Sequence, residues 1–424
     1  MATLRPFRGL RMQDPDALAR CVAPPYDVLS PDERDALAAQ DPHNIVHLTL
    51  PESRSDDRSK YIKYARSAAA LSEWRREGAI APETRPAFYR YTQTFAVAGI
   101  PGPFTRTAMI ALIKIEPYAS GVVLPHEQTF PKHKEDRLRI LEATRAHLEC
   151  IFGLFEDPDR SIHGAILKAP TSSKVEVETP DGVTHVVEPI DDPATCEALT
   201  AQMADNKVWI ADGHHRYETA CTFREALGQR DGLVPEDFMM MALSSMSDPG
   251  LVLLPTHRTV KSLPVNANQL DDLLQRHFNV RKMPNSTLMG EVNRLASPEA
   301  RVFGVALPGG MGLLATMEEP KDAIRLVEGA GSDLLKMLDV TILHSVIFEK
   351  LLGIRGLDTI GYTRDNDEAL ASVENGSAAA FLMNPPSVED MRLIALGGEK
   401  MPQKSTFYYP KILSGLVMWS LNDF

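Results

Sequence analysis

The chain has 424 residues, 44% of them hydrophobic and 24% charged, with a formal net charge of −12. That length allows two or three domains with full cores, and the composition is that of a soluble globular protein. The acidic balance argues against a general nucleic-acid or anionic-membrane surface, which needs excess Lys and Arg. No apolar run approaches the roughly 18 residues of a membrane span, so a cytoplasmic protein is expected.

Taken in order, Pro24-Pro25 holds an extended backbone before Tyr26 and Asp27, which fits a rigid turn or a ligand contact alike. Ser30-Pro31-Asp32-Glu33 reads as an N-cap, a first-turn proline and an acidic first turn, opening a helix to about residue 39. Residues 44–50 alternate like a strand. Residues 58–78 form an amphipathic helix ended by Gly78. Residues 88–95 and 106–115 read as a hairpin around the Gly/Pro-rich 99–103. After a strand-like run at 121–125 come His126, Glu127, Gln128 and Thr129, then a charged helix from about 135 to 150.

Further strands are expected at 151–155, 175–178 and 184–187, with helices at 162–167 and 193–205. Phe238 to Leu243 is a buried strand whose methionines fill core. A strand at 251–254 ends in Pro255-Thr256-His257-Arg258. The pattern changes near Pro264, which sets the expected division: residues 1–263, then a C-terminal α/β region over 264–424. There, helices are expected at 270–278 and 289–295, a hairpin at 302–317, the longest helical run at 334–352, a strand at 379–383 and an aromatic strand after Lys404-Ser405-Thr406. Asp339 and His344 read as caps or exposed polar positions. The four cysteines (Cys21, Cys150, Cys196, Cys221) lack paired metal-ligand spacing, and a disulfide framework does not suit a chain this size.

The stretch around which the rest is organised is Val208-Trp209-Ile210-Ala211-Asp212-Gly213-His214-His215-Arg216-Tyr217-Glu218-Thr219-Ala220. An apolar strand breaks at Asp212-Gly213, a dipeptide suited to a tight turn with positive φ, and a helix follows to about Leu227. Asp212 to Arg216 therefore stand at a helix N-terminus, where unpaired amides and the helix dipole favour an anion. Two imidazoles and a guanidinium there suit a phosphate, with Asp212 left to hold a metal or a proton. His126 to Arg145 form a second cluster: a carboxylate beside an imidazole, a hydroxyl and several cations, the set that phosphoryl transfer to an alcohol needs.

Residues 211–220 (Ala-Asp-Gly-His-His-Arg-Tyr-Glu-Thr-Ala) resemble the signature of a bacterial and archaeal family described as a domain of unknown function. Stretches 23–28, 126–129, 135–138, 254–258 and 403–411 resemble the same family, so the likeness covers nearly the whole chain. More distantly, Asp212 to Arg216 are similar to the phosphate-binding corner of the ParB/sulfiredoxin-like superfamily, which includes ParB partition proteins, sulfiredoxins and free-serine kinases. The Asp-Gly-His-x-Arg form is nearest to the free-serine kinases. The cysteine that a sulfiredoxin reading wants in the turn is replaced by His, which argues against thiol redox chemistry.

Other chemistries lack their signatures. No Gly-x-Gly-x-x-Gly follows a strand, and neither His-Glu-x-x-His nor Gly-x-Ser-x-Gly occurs. The resemblance implies an α/β fold with mixed sheets: a ParB/sulfiredoxin-like catalytic region with insertions, then the C-terminal α/β region. It implies a small-molecule kinase using ATP or ADP with Mg²⁺, its acceptor a hydroxylated metabolite such as free L-serine. Gly213, His214, His215 and Arg216 are expected to hold the nucleotide phosphates, and Asp212 to bind Mg²⁺ or orient the acceptor. Glu127 is the expected base, with His126, Lys132 or Arg137 neutralising charge on the phosphoryl oxygens. The alternatives are a ParB-like nucleotide-dependent switch and a metal-assisted phosphohydrolase.

Overall fold

The computed structural model describes residues 2–129, 131–228, 231–356 and 359–424, with the backbone alone at 131–133. The chain folds into two units, each α/β. The first comprises residues 1–125, 129–252 and 410–424, and the second residues 126–128 and 253–409. The observed division thus falls at 252/253 rather than 263/264. Two short segments also leave the sequence order: 126–128 belong to the second unit and the final fifteen residues to the first. Neither exchange leaves a mark in composition, because each is decided by tertiary packing.

The first unit is built on a nine-stranded mixed sheet. Its strands are β1 (Leu4–Arg5), β2 (Phe88–Val97), β3 (Ile100–Lys114), β4 (Val123–Leu124), β5 (Ile151–Phe155), β6 (Val175–Glu178), β7 (Thr184–Ile190), β8 (Val208–Asp212) and β9 (Phe238–Ser245). They run in the order β4-β8-β5-β9-β3-β2-β7-β6, with β1 added to β3. The β4–β8 and β5–β9 pairs are parallel and the others antiparallel.

Its main helices are α1 (Pro31–Gln40), α2 (Ile62–Glu77), α3 (Pro131–Thr144), α4 (Ser161–Lys168), α5 (Pro193–Met203) and α6 (His214–Ala226). Ile162 and Ile166 of α4, Leu199 and Met203 of α5, and Tyr217 and Ala220 of α6 share one core cluster with Ile151, Ile210 and Met241 of the sheet. The Ser30–Glu33 capping box starts α1, and Gly78 at φ 77° ends α2, both as their residue types require.

Local patterning misleads at three places in this unit. Residues 44–50 form a short helix, Val46–Thr49, and not a strand. The Asn44 carboxamide accepts from the Val46 amide at 3.0 Å, which starts the turn, and Val46, Leu48 and Thr49 are all buried instead of alternating. The hairpin turn is tighter than its Gly/Pro content suggests, since β3 already begins at Ile100. Helix α3 stops at Thr144, where Arg145 takes a left-handed φ of 51° and the chain turns into a strand at Ala146–His147.

The second unit carries a six-stranded antiparallel sheet, β10 (His257–Val260), β11 (Asn279–Pro284), β12 (Arg301–Ala306), β13 (Met311–Met317), β14 (Ile360–Thr363) and β15 (Ala379–Leu382). The order is β11-β13-β12-β15-β10-β14. Helices α7 (Asn285–Leu295) and α8 (Asn366–Glu374) pack Leu288, Val292, Ala369 and Val373 against Leu314, Ala380 and Leu382 of the sheet. The run expected as one helix over 334–352 is broken into Asp333–Lys336, Asp339–Thr341 and a π-helical segment, Ile342–Leu351.

Asp339 stands at that break, half-buried and 3.2 Å from Arg301 Nε. Burial pushes its carboxyl up to about 7, against the pull of Arg301 and with a smaller push from Asp390. Between pH ~4 and ~7 the native carboxyl therefore keeps a proton that the unfolded chain has released. Its contribution to stability is fully present below pH ~4 and is lost as the pH rises towards 7. Urea unfolding of the native chain and Asp339→Asn across this window should show the native chain losing stability relative to the variant. Parallel profiles would refute the expectation.

Candidate functional site

Strand β8 is buried from Val208 to Ala211 and delivers Asp212 to its end. Its register against β5 shifts between Ile210 and Asp212, an irregularity that re-aims the last residue. Gly213 follows at φ 93° as the N-cap of α6. Glycine is required twice over. The conformation is left-handed, and an added Cβ would lie 2.9 Å from the Arg216 guanidinium. The thirteen-residue helix then presents its N-terminal turn, whose first amides have no intrahelical acceptor.

Arg216 folds back across this turn. Its guanidinium donates to Asp212 Oδ2 at 2.9 Å and to the Cys150 carbonyl at 2.7 Å, and the residue is only 9% exposed. The second Asp212 oxygen is paired with the Lys411 ammonium. Burial alone would raise the Asp212 carboxyl, but Lys411, Arg216 and His214 outweigh it and hold it well below the usual carboxylate range. The Arg216 guanidinium is correspondingly held above its usual value: burial would lower it, but Glu149, Asp212 and Asp27 prevail.

Lys411 arrives on the C-terminal segment, which is fastened by its backbone. The Gln93 carboxamide donates to the Lys411 carbonyl at 2.9 Å, and the fully buried Arg106 donates to the Pro410 carbonyl. Leu413 N–H donates to the Tyr91 hydroxyl at 3.2 Å. These contacts fix the ammonium at the strand-to-helix corner from 199 residues away in sequence.

A second layer of charge adjoins the corner. Glu149, 6% exposed, accepts from the Tyr26 amide and the Ser414 hydroxyl, both at 3.1 Å and both on Oε1. Arg137 stacks on the Tyr26 ring at 3.9 Å, pairs with Asp136 at 2.5 Å and stands 3.8 Å from Glu149 Oε2. Burial raises the Tyr26 hydroxyl well above its usual range. For Asp136, burial is outweighed by Arg137, Lys63 and Tyr64, which hold the carboxyl down at about 2. A cavity of about 50 Å³ opens here, lined by Arg137, Glu149, Arg216, His147, Thr219 and apolar neighbours.

Of the expected site residues, the first unit thus brings together Asp212, Gly213, His214, Arg216 and Arg137. His214 is buried and His215 half-buried. The side chain of Lys132 lies outside the described residues. His126 and Glu127 belong to the second unit. There, buried His126 shares a hydrogen bond with the Thr406 hydroxyl at 2.8 Å, and Glu127 accepts the Lys404 amide at 2.8 Å. The Lys404 carbonyl in turn accepts from Arg258 at 3.1 Å, and Arg258 donates its Nε–H to His344 at 3.2 Å. His344, expected as a cap or exposed position, is therefore a partner of a buried arginine.

Sequence reasoning missed Glu149 and Lys411 as site members. Lys411 had a faint signal, since it closes one of the family-like stretches. Glu149 had only the oddity of an acid between Leu148 and Cys150, just before the apolar β5. Mg²⁺, expected on Asp212, finds both carboxylate oxygens engaged by cations. Among the described residues, no group of three or more His, Cys, Asp or Glu side chains is arranged to hold a metal. This donor set does not fit a metal held by the protein itself. Among the described residues, too, no helix is long and apolar enough to cross a membrane.

A family model described as Protein of unknown function (DUF1015) matches residues 4–341. No match is found among curated proteins. Among solved structures, a free serine kinase mutant in complex with ADP is similar at 13% identity and a TM-score of 0.38, over 78% of this chain and 99% of that one. A conserved hypothetical protein from Pyrococcus furiosus is similar at 14% identity and a TM-score of 0.35, over 74% and 97% of the two chains. SbnI with a C-terminal truncation, from Staphylococcus aureus, is similar at 11% identity and a TM-score of 0.35, over 73% and 86%.

Proposed function

Taking as premise that the chain belongs to the DUF1015 family, whose model matches residues 4–341, we propose that it is a small-molecule kinase. In this reading it transfers a phosphoryl group from ATP or ADP to a hydroxylated metabolite. The observation that carries it is the corner at Asp212-Gly213, where a left-handed glycine opens a helix N-terminus and Arg216, Lys411 and the nearby Arg137 gather positive charge. Helix amides and cations together form the usual cradle for a polyphosphate.

Within the proposal, the amides of Gly213, His214 and His215 and the side chains of Arg216 and Lys411 contact the nucleotide phosphates. Asp212 holds the two cations in place, and Arg137 adds charge beside them. Mg²⁺ enters only with the nucleotide phosphates. Glu127 and His126, which belong to the second unit, are proposed separately as a proton acceptor and its neighbour.

The test is to incubate the full chain with γ-labelled ATP, or β-labelled ADP, and a panel of amino acids and polyols. The expected result is label transferred to one small molecule. Label released only as inorganic phosphate would replace this reading with a nucleotide switch or phosphohydrolase, and no consumption of either nucleotide would overturn it.

A further inference from the structure

The cavity beside Arg216 lies entirely within the first unit, and the way its polar groups are used singles it out. Two of its lining residues are guanidinium side chains more than nine-tenths buried, Arg137 at 7% and Arg216 at 9% exposure. In each, the Nε atom is buried without any hydrogen-bond partner. A buried donor left unmade costs the full desolvation of that group, so two in one small space call for an acceptor. The third charged lining residue is the Glu149 carboxylate. Its Oε1 is occupied by Tyr26 and Ser414, whereas its Oε2 has only the loose 3.8 Å approach of Arg137.

Two Nε–H donors lacking an acceptor and a carboxylate oxygen that accepts no hydrogen bond form the complement of a zwitterion. We propose that this cavity binds the charged ends of a small free amino acid, its carboxylate on the Nε–H groups of Arg137 and Arg216 and its ammonium on Glu149. Size restricts the class. A volume of about 50 Å³ has room for roughly three or four waters. That suits a backbone with one or two further heavy atoms and leaves no space for a long side chain. The apolar part of the lining, Ile140, Leu141, Leu148 and Met239, suits the Cα and Cβ carbons. Arg216 bridges the cavity and the corner through its bond to Asp212, so the amino acid would be the acceptor in the kinase reading, on which this inference rests.

The probes are L-serine, ethanolamine (the same molecule without the carboxylate) and 3-hydroxypropionate (the same molecule without the ammonium). Each is titrated calorimetrically into the full chain, with and without ADP. L-Serine should bind, and each truncated probe should bind about 10- to 100-fold more weakly. Glu149→Gln should weaken L-serine by a similar factor while ADP binding stays within twofold, with a melting curve to show that the variant is folded. If ethanolamine binds as well as L-serine, or if L-serine does not bind while ADP does, the inference falls and the kinase reading stands. If L-serine binds selectively but ADP does not bind, the pocket stands and the kinase reading falls.

Discussion

Under the proposed function, Glu127→Gln is expected to lower phosphoryl transfer by about 10²–10⁴-fold while leaving the affinity for ADP unchanged, because it removes the proposed proton acceptor at nearly constant shape. The local structure favours a clean comparison. Glu127 Oε1 accepts the Lys404 amide at 2.8 Å, and a glutamine carbonyl at the same position accepts that bond equally well. Lys404 itself needs the support, since it holds a left-handed φ of 57° that a lysine adopts only under constraint. A truncation such as Glu127→Ala would confound lost chemistry with a relaxed loop, whereas the amide separates them. The readout is single-turnover transfer at saturating nucleotide, alongside an ADP titration. Turnover within threefold of the native chain would remove Glu127 from the chemistry and leave it as the residue that pins Lys404.

Arg216→Met is expected to cost about 3–5 kcal/mol of stability in the first unit, because breaking a buried ion pair from one side strands the other. The stranded group is Asp212, which would keep Lys411 but lose its 2.9 Å partner, while the Cys150 carbonyl would lose its donor. The surviving Lys411 contact places the loss towards the lower end of that range. Adding Asp212→Asn should not recover it, since Lys411, paired with the other Asp212 oxygen, would then lose its carboxylate at the corner. Urea unfolding with unchanged slope measures both. A loss below about 1 kcal/mol would mean that the guanidinium is dispensable to the corner, and with it the idea that Arg216 is held ready for a ligand.

Legibility in the sequence followed the range of the interaction that decided each feature. The turn at Asp212-Gly213 was readable because it is local: an apolar strand, a dipeptide that tolerates positive φ and a helix start occupy thirteen consecutive residues. The caps of α1 and α2 were readable for the same reason. The segment at 44–50 was misread because Asn44 side-chain bonds to the Arg20 and Val22 carbonyls and to the Val46 amide outweigh a weak alternation.

The amino-acid order alone therefore determined the mixed α/β class, the strand-to-helix corner and its glycine, and the charge that argues against a general nucleic-acid surface. Only the tertiary structure decided that Arg216 turns inward onto Asp212, that Lys411 returns across 199 residues to the same carboxylate, and that Glu149 meets both the Tyr26 amide and Arg137. Only the fold, likewise, assigned residues 126–128 to the second unit and the final segment to the first. The physical reason is common to all of these. Backbone conformation is set by neighbours in sequence, whereas a buried charge takes its partner from whatever the fold brings within about 3 Å, and that choice leaves no periodicity to read.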